Sequence, residues 1–309
     1  VEELETMRIL VTGATGLIGK ALLNRLPKEG HEAVGLVRHK GMISGPVIEW
    51  DPENSVIDKA GLEGIEGVVH LAGENIASGR WTPDKKRRIL ESRVQGTRFL
   101  CEALSGLTAP PRVLVSASAI GYYGDRGEEI LEENSGAGTG FLAEVCQQWE
   151  AAAVIAEKAG IRVVRLRLGV VLSEEGGALA KMATPFRLGL GGVIGNGRAY
   201  MSWITLEDVL RVIGLALARE EIRGVVNATA PNPVTNREFT AAIGKALHRP
   251  AMFPMPAWAV RLVFGEMGRE MLLASTRVMP GRLTGMGFVF QYPSLDTALG
   301  HVLKKDVKR

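Results

Sequence analysis

Residues 7–30 constrain the fold more than any other stretch of this chain. MRILVTG (7–13) is an unbroken apolar run of strand length. LIGKALLNRLPKEG (17–30) repeats its apolar residues at helical spacing and ends in glycine, with only a short glycine-rich connection between the two. A strand that is apolar on both faces has to be covered on both faces, which suits the interior of a parallel sheet. The alternation continues down the chain. Strands are predicted at 32–38, 67–73, 112–118 and 161–172, and helices at 85–106 and 140–160. The expected fold class is therefore α/β, a doubly wound parallel sheet with helices on both sides.

After residue 172 the pattern changes. The segment GGALAKMATPFRLGLGGVIGNGRAYMSWITLEDV is rich in glycine and has no long period. A helix at 207–218 and a short strand at 224–228 then return to the sheet, and helices broken by proline follow from Pro231. The predicted division is a sheet domain over 7–172, returning at about 205–230, and a smaller, mainly helical substrate-side lobe over 173–204 and 231–303. Residues 1–6 (VEELET) precede Met7 as an extension, either native or left by cloning, and take no part in the fold reasoning.

The 309 residues are 46% hydrophobic and 23% charged, with a net charge of +3, a balance too even to argue for nucleic acid as a partner. The basic groups at 85–88 and 304–309 read as solvated faces or frayed ends. Cys101 and Cys146 fall in predicted helices without metal-ligand spacing, and no metal is expected. The absence of a signal peptide and of a long apolar segment points to a cytoplasmic protein with no membrane partner.

TGATGLIG (12–19) joins the first strand to the first helix. Gly13, Gly16 and Gly19 follow a G-x-x-G-x-x-G spacing, a variant of the dinucleotide fingerprint of Rossmann-type sheets. Two glycines allow a tight turn and a close approach of backbone N–H groups to pyrophosphate, and the third lets the helix lie against the sheet. Thr15, Leu17 and Ile18 complete the loop and the helix N-terminus, which faces the anion. About twenty residues on, the second strand ends in Val37-Arg38-His39-Lys40. An acid there would hold the ribose 2′-hydroxyl of NAD. Arg38 suits a 2′-phosphate instead, so NADP is expected over NAD.

With these residues in view, the chain resembles the extended short-chain dehydrogenase/reductases. More narrowly, it is similar to an atypical group described as epimerase-like or "SulA-type" proteins with a C-terminal domain of unknown function. The resemblance runs from Met7 to about Leu299. It is carried by TGATGLIG, HLAGENI (70–76), RW (80–81), SRVQGT (92–97), SASAIGYYG (116–124), WEAAA (149–153), RLGVVL (167–172), PFRLGLGGVIGNG (185–197), WITLEDV (203–209) and MLLASTRVMPGRLTGMGFVFQYP (271–293). The resemblance implies further cofactor contacts at Leu71, Ala72, Gly73, Arg93 and Val171, although Leu71 and Val171 read equally well as core. His70, among apolar neighbours, reads as a satisfied core histidine.

The wider superfamily pairs a serine on the fifth strand with Tyr-x-x-x-Lys on the next helix, where the tyrosine exchanges a proton with the substrate. Ser118 matches the serine. In GFLAEVCQQWEAAA, Phe141 or Leu142 stands where the tyrosine would be, and Val145 or Cys146 where the lysine would be. Two substitutes are open: Tyr122 or Tyr123 with Arg93 as the positive charge, or a glutamate, Glu74 or Glu144. Arg187, Arg198 and Trp203 are the candidate substrate contacts, with Asn196, Tyr200, Arg277 and Arg282 as further options. The expected function is an NADP(H)-binding epimerase-like oxidoreductase acting on a sugar-nucleotide-type or other small carbonyl or hydroxyl substrate. The alternative is a nucleotide-binding regulator, with a possible protein partner and little or no catalysis.

Overall fold

The computed structural model describes residues 6–303. The basic stretch at 304–309 and all but the last residue of the 1–6 extension lie outside the described residues. The main sheet has eight strands: β1 (Arg8–Thr12), β2 (Glu32–Val37), β3 (Val47–Asp51), β4 (Val56–Ile57), β5 (Gly67–His70), β6 (Val113–Ala119), β7 (Arg162–Leu168) and β8 (Gly224–Ala228). Their spatial order is β8-β7-β6-β5-β1-β2-β3-β4. Every pairing is parallel except that of β4 with β3.

Strand periodicity explains the two-sided cover. Ile9, Val11, Val113, Val115, Val164 and Leu166 point to one face, where α1 (Leu17–Arg25) and α5 (Leu206–Ala218) pack. Leu10, Val34, Leu36, Val68, Leu114 and Val163 point to the other, against α2 (Pro83–Ser105) and the end of α3 (Phe141–Ala153). Alternate residues of one strand thus feed two cores.

A third core joins Leu172, Leu179, Phe186, Trp203, Phe239, Ile243 and Leu299. It lies among α4 (Gly177–Arg187), α6 (Asn236–Leu247) and α8 (Leu295–Val302). Between them in sequence, α7 (Ala257–Gly268) is interrupted at Gly265 (φ 61°, ψ −135°) and buries only Val260 and Gly268. Asp208, fully buried at the start of α5, accepts backbone N–H bonds from Gln291 and Tyr292 and so fastens the C-terminal segment.

Three local features differ from the sequence reading. The predicted strand 161–172 divides at Gly169, where a side chain would meet Ser202 O at 2.9 Å. Val170–Leu172 leaves the main sheet and pairs with Trp203–Thr205. The edge strands β3 and β4 went unpredicted, being five and two residues long. The glycine-rich stretch after 172 contains α4, a helix anchored by just Leu179, Ala183 and Phe186.

Candidate functional site

The loop after β1 turns on Gly13 at φ +65°, where a Cβ would lie 2.8 Å from both the carbonyl carbon and oxygen of Leu71. The N–H of Gly16 donates to Gly13 O at 2.9 Å, and a Cβ on Gly19 would come within 2.3 Å of that same oxygen. Glycine is required at 13 and 19 because backbone fills the space a side chain needs. The N-cap of α1 is Gly16, with no capping side chain and no acid in the first turn. The first N–H groups of α1, at Leu17, Ile18 and Gly19, therefore lack intrahelical acceptors at its positive end. That arrangement fits an anion such as pyrophosphate. Thr15 and Gly16 are exposed beside it, and Leu17 touches the 176–177 turn near Val171.

The neighbouring loop is held by Thr12, whose Oγ1 accepts from Leu71 N and Ala72 N at 3.0 Å each. The same hydroxyl lies 2.8 Å from His70 Nδ1, and His70 Nε2 lies 2.8 Å from Thr97 Oγ1. Because Thr12 already accepts twice, its proton goes to Nδ1 and the histidine donates from Nε2 to Thr97. His70 is thus a fully buried structural bridge, and burial lowers its pKa from 6.5 to about 4. As pH falls through 6.5 the unfolded imidazole takes a proton that the folded one refuses until about 4, so this residue removes stability on the acid side. The expected loss between pH 7 and pH 4 is about 3 kcal/mol. Urea unfolding of wild type and His70→Gln across that range checks it, the variant showing the flatter dependence.

Gly73 is exposed and packs on the guanidinium of Arg93, which donates to Glu74 O (3.0 Å) and Ile89 O (3.1 Å) and lies over Trp149. Arg38 is exposed at the end of β2 and has no hydrogen bond or ion pair among the described residues. The loop glycines, 71–73, Val171 and Arg38 all belong to the ends of neighbouring parallel strands or to the loops that leave them, where open α/β sheets take their ligands.

At the end of β6 a buried polar cluster was not foreseen. Ser118 Oγ donates to Glu150 Oε1 at 2.7 Å. Arg167, from β7, grips Glu150 with Nε on Oε1 (2.8 Å) and Nη2 on Oε2 (2.9 Å). Its Nη1 donates to the Tyr123 hydroxyl at 2.9 Å, and its guanidinium lies 3.4 Å from the centre of the Tyr122 ring. Burial works against the charge on Arg167, but the hydrogen bonds and charge of Glu150 outweigh it and raise the pKa.

The two tyrosines separate clearly. Tyr123 is fully buried, and its hydroxyl is also within reach of Asn227 Oδ1 (2.7 Å) and Glu132 O (2.9 Å). Burial pushes its pKa up. Expected as a proton donor, Tyr123 instead ties the cluster together. Tyr122 is half-buried, and its hydroxyl has no partner among the described residues. The positive charge beside it is Arg167, whereas Arg93 is spent on backbone carbonyls.

Other expected roles change with placement. Glu74 is held by Lys85 Nζ at 2.6 Å, a hydrogen bond that lowers its pKa and makes it a poor acid or base. Glu144 is exposed and paired with Gln148. Trp203, expected as a substrate contact, has no exposed surface, gives its Nε1–H to Asn232 O and packs in the third core. Arg282 caps the carbonyls of Arg223 and Val225. Arg187 and Arg198 are exposed. Asn196 Oδ1 accepts from Arg198 N. Arg277 lies over the Tyr200 ring at 4.7 Å, with its Nε buried and without a hydrogen-bond partner among the described residues.

Val145 and Cys146, the two residues at the superfamily's lysine position, are both buried, and burial pushes the Cys146 thiol up to about 11. Where the tyrosine would be, the N–H groups of Phe141 and Leu142 donate to the two oxygens of Glu270, at 2.9 and 2.8 Å. A charged residue inside an apolar strand (Arg167) and an acid on the buried face of a helix (Glu150) are signals that each needs a partner. Nothing in the sequence marks Glu270.

The comparisons with known proteins agree with this architecture. Residues 9–228 match the NAD dependent epimerase/dehydratase family, and 255–302 match a domain of unknown function, DUF1731. The chain belongs to that epimerase/dehydratase family. An epimerase family protein of Mycobacterium tuberculosis is 42% identical over 293 residues, covering 95% of this chain and 96% of its own length. A chloroplastic relative in Arabidopsis thaliana is 37% identical, over 96% of this chain and 87% of its own, so family membership does not assign a compartment. The crystal structure of human SDR39U1 (isoform 2) with NADPH superposes with a TM-score of 0.89 at 36% identity, over 96% of this chain and 99% of that one. A nucleoside-diphosphate sugar epimerase from Corynebacterium glutamicum superposes with a TM-score of 0.79 at 36% identity, over 97% of this chain, which spans only 58% of that longer one. Among the described residues no helix is long and apolar enough to cross a membrane, and no cluster of side chains forms a metal site.

Proposed function

We propose that the chain is an NADP(H)-dependent, epimerase-like oxidoreductase whose proton-exchanging group is Tyr122. The observation that carries the cofactor is the uncapped N-terminus of α1 beneath the Gly13 turn, with the exposed Arg38 at the end of the next strand. The human relative crystallised with NADPH supports the same choice. Pyrophosphate is held by the loop residues 13–19, the 2′-phosphate by Arg38, and the adenosine and ribose side by Leu71, Ala72, Gly73, Arg93 and Val171.

NADP(H) supplies the hydride. Tyr122 gives a proton from its hydroxyl to the substrate oxygen, or takes one in the reverse direction, while Ser118 orients the substrate. Arg198 and Arg187, exposed on the substrate side, suit an anionic group such as the diphosphate of a nucleotide sugar.

Arg38→Ala is expected to weaken NADPH binding by about 1.5–3 kcal/mol, roughly ten- to hundredfold, and to leave NADH binding nearly unchanged. Equal losses for both cofactors in fluorescence titrations would remove the 2′-phosphate assignment. For the chemistry, single-turnover oxidation of bound NADPH against nucleotide sugars, ketones and quinones is the decisive measurement. Turnover that Tyr122→Phe lowers by about 10²-fold or more, with cofactor affinity intact, is the expected result. A signal indifferent to Tyr122 overturns its role. Tight binding without turnover would favour a nucleotide-binding regulator, the reading to which the missing Tyr-x-x-x-Lys points.

A further inference from the structure

A serine hydroxyl has one proton to give, and in Ser118 that proton is already directed. Oγ donates to Glu150 Oε1 at 2.7 Å. Glu150 has no proton to return, because Arg167 holds both of its oxygens through Nε and Nη2. A carboxylate in such a two-pronged grip only accepts. Ser118, Glu150 and Arg167 are all buried, at 2%, 5% and 3% exposure, so packing maintains the arrangement. The third arm of Arg167 is bound to Tyr123, and its face to Tyr122, which leaves the guanidinium no freedom to release Glu150.

What remains to Ser118 is its oxygen lone pairs. We infer that Glu150 and Arg167 are positioning residues that set Ser118 as a hydrogen-bond acceptor, so that the ligand group it selects is a donor, the hydroxyl of an alcohol rather than the oxygen of a ketone or aldehyde. The inference rests on the reading above that Ser118 meets the substrate. A ketone seeking a proton from Ser118 would have to take it from Glu150, removing one partner from a buried carboxylate oxygen. The alcohol needs no such rearrangement.

The double variant Glu150→Met/Arg167→Met removes the carboxylate acceptor without stranding a charge, so the Ser118 proton can turn to a ligand oxygen. Matched probes read this directly: cyclohexanol and cyclohexanone, titrated by saturation-transfer NMR into the full chain loaded with NADP. Wild type is expected to bind the alcohol about three- to tenfold more tightly than the ketone, the scale of one hydrogen bond. The ratio should fall to about one in Ser118→Ala, which leaves the ion pair intact, and shift toward the ketone in Glu150→Met/Arg167→Met. Should the double variant not fold, wild type and Ser118→Ala still decide the matter. Equal or ketone-favouring binding in wild type, with a ratio that still changes in Ser118→Ala, overturns the polarity and leaves Ser118 in the site. A ratio unaffected by Ser118→Ala overturns both the polarity and the placing of substrate at Ser118.

Discussion

Gly13→Val is expected to abolish NADPH binding and to destabilise the chain. The residue sits at φ +65°, a conformation a β-branched side chain resists, and its Cβ would lie 2.8 Å from the Leu71 carbonyl. Backbone, not a flexible side chain, occupies that space, so the loop itself must shift. Strain of this kind costs about 1–3 kcal/mol before the clash is counted. Shifting the loop also moves the N–H groups that would face the pyrophosphate, which should take affinity down by more than about a hundredfold. Gly16→Ala is the matched control: its φ is −78° and its Cβ would meet only Gly13 O, at 3.1 Å. Fluorescence titration with NADPH beside thermal unfolding separates the two effects. A folded Gly13→Val chain that still binds would show that this loop is not the pyrophosphate site.

Arg167→Met should be the most destabilising single change at the C-terminal end of the parallel strands. It leaves the buried Glu150 carboxyl without its ion-pair partner, beside the Ser118 hydroxyl. Breaking a buried ion pair from one side costs about 3–5 kcal/mol. Methionine in both positions removes the uncompensated charge and should recover most of the loss, since an apolar pair of similar volume is often as stable as the ions it replaces. Urea unfolding of the two single variants and the double variant measures the coupling. Additive losses would mean that the ion pair contributes no interaction of its own.

Which parts of this were legible in the sequence follows from how local each cause is. The order of strands and helices came through because period-two and helical patterns repeat over many residues. The tight turn at Gly13 and the close approach at Gly19 could be read because their positions are counted along the chain from one strand. His70 stood among apolar residues, and its two threonine partners bear out the core reading. Tyr122 and Tyr123 could not be told apart in advance. They are adjacent and identical, and the turn of 3₁₀ helix at Ile120–Tyr123 decides which is buried. Glu150 and Arg167 are 17 residues apart and meet only because α3 lies across β6 and β7. Glu270 reaches Phe141 across 129 residues, a pairing no local pattern carries.

That long reach of the C-terminal segment bears on how the chain could have been assembled by recombination. The two family matches end at 228 and resume at 255, as though two exchangeable modules had been joined. Yet Leu283 is buried in the core on the α1 face of the main sheet, Val278 packs against Tyr123 and Leu131, and Glu270 completes the first turn of α3. Glu133, in turn, receives N–H bonds from both Asn227 and Arg282. The seam visible in the family boundaries is therefore not a seam in cooperativity. A transplanted C-terminal segment would have to bring along its own matching carbonyls, N–H groups and hollows in the sheet domain, so the two parts are expected to have diverged as a pair.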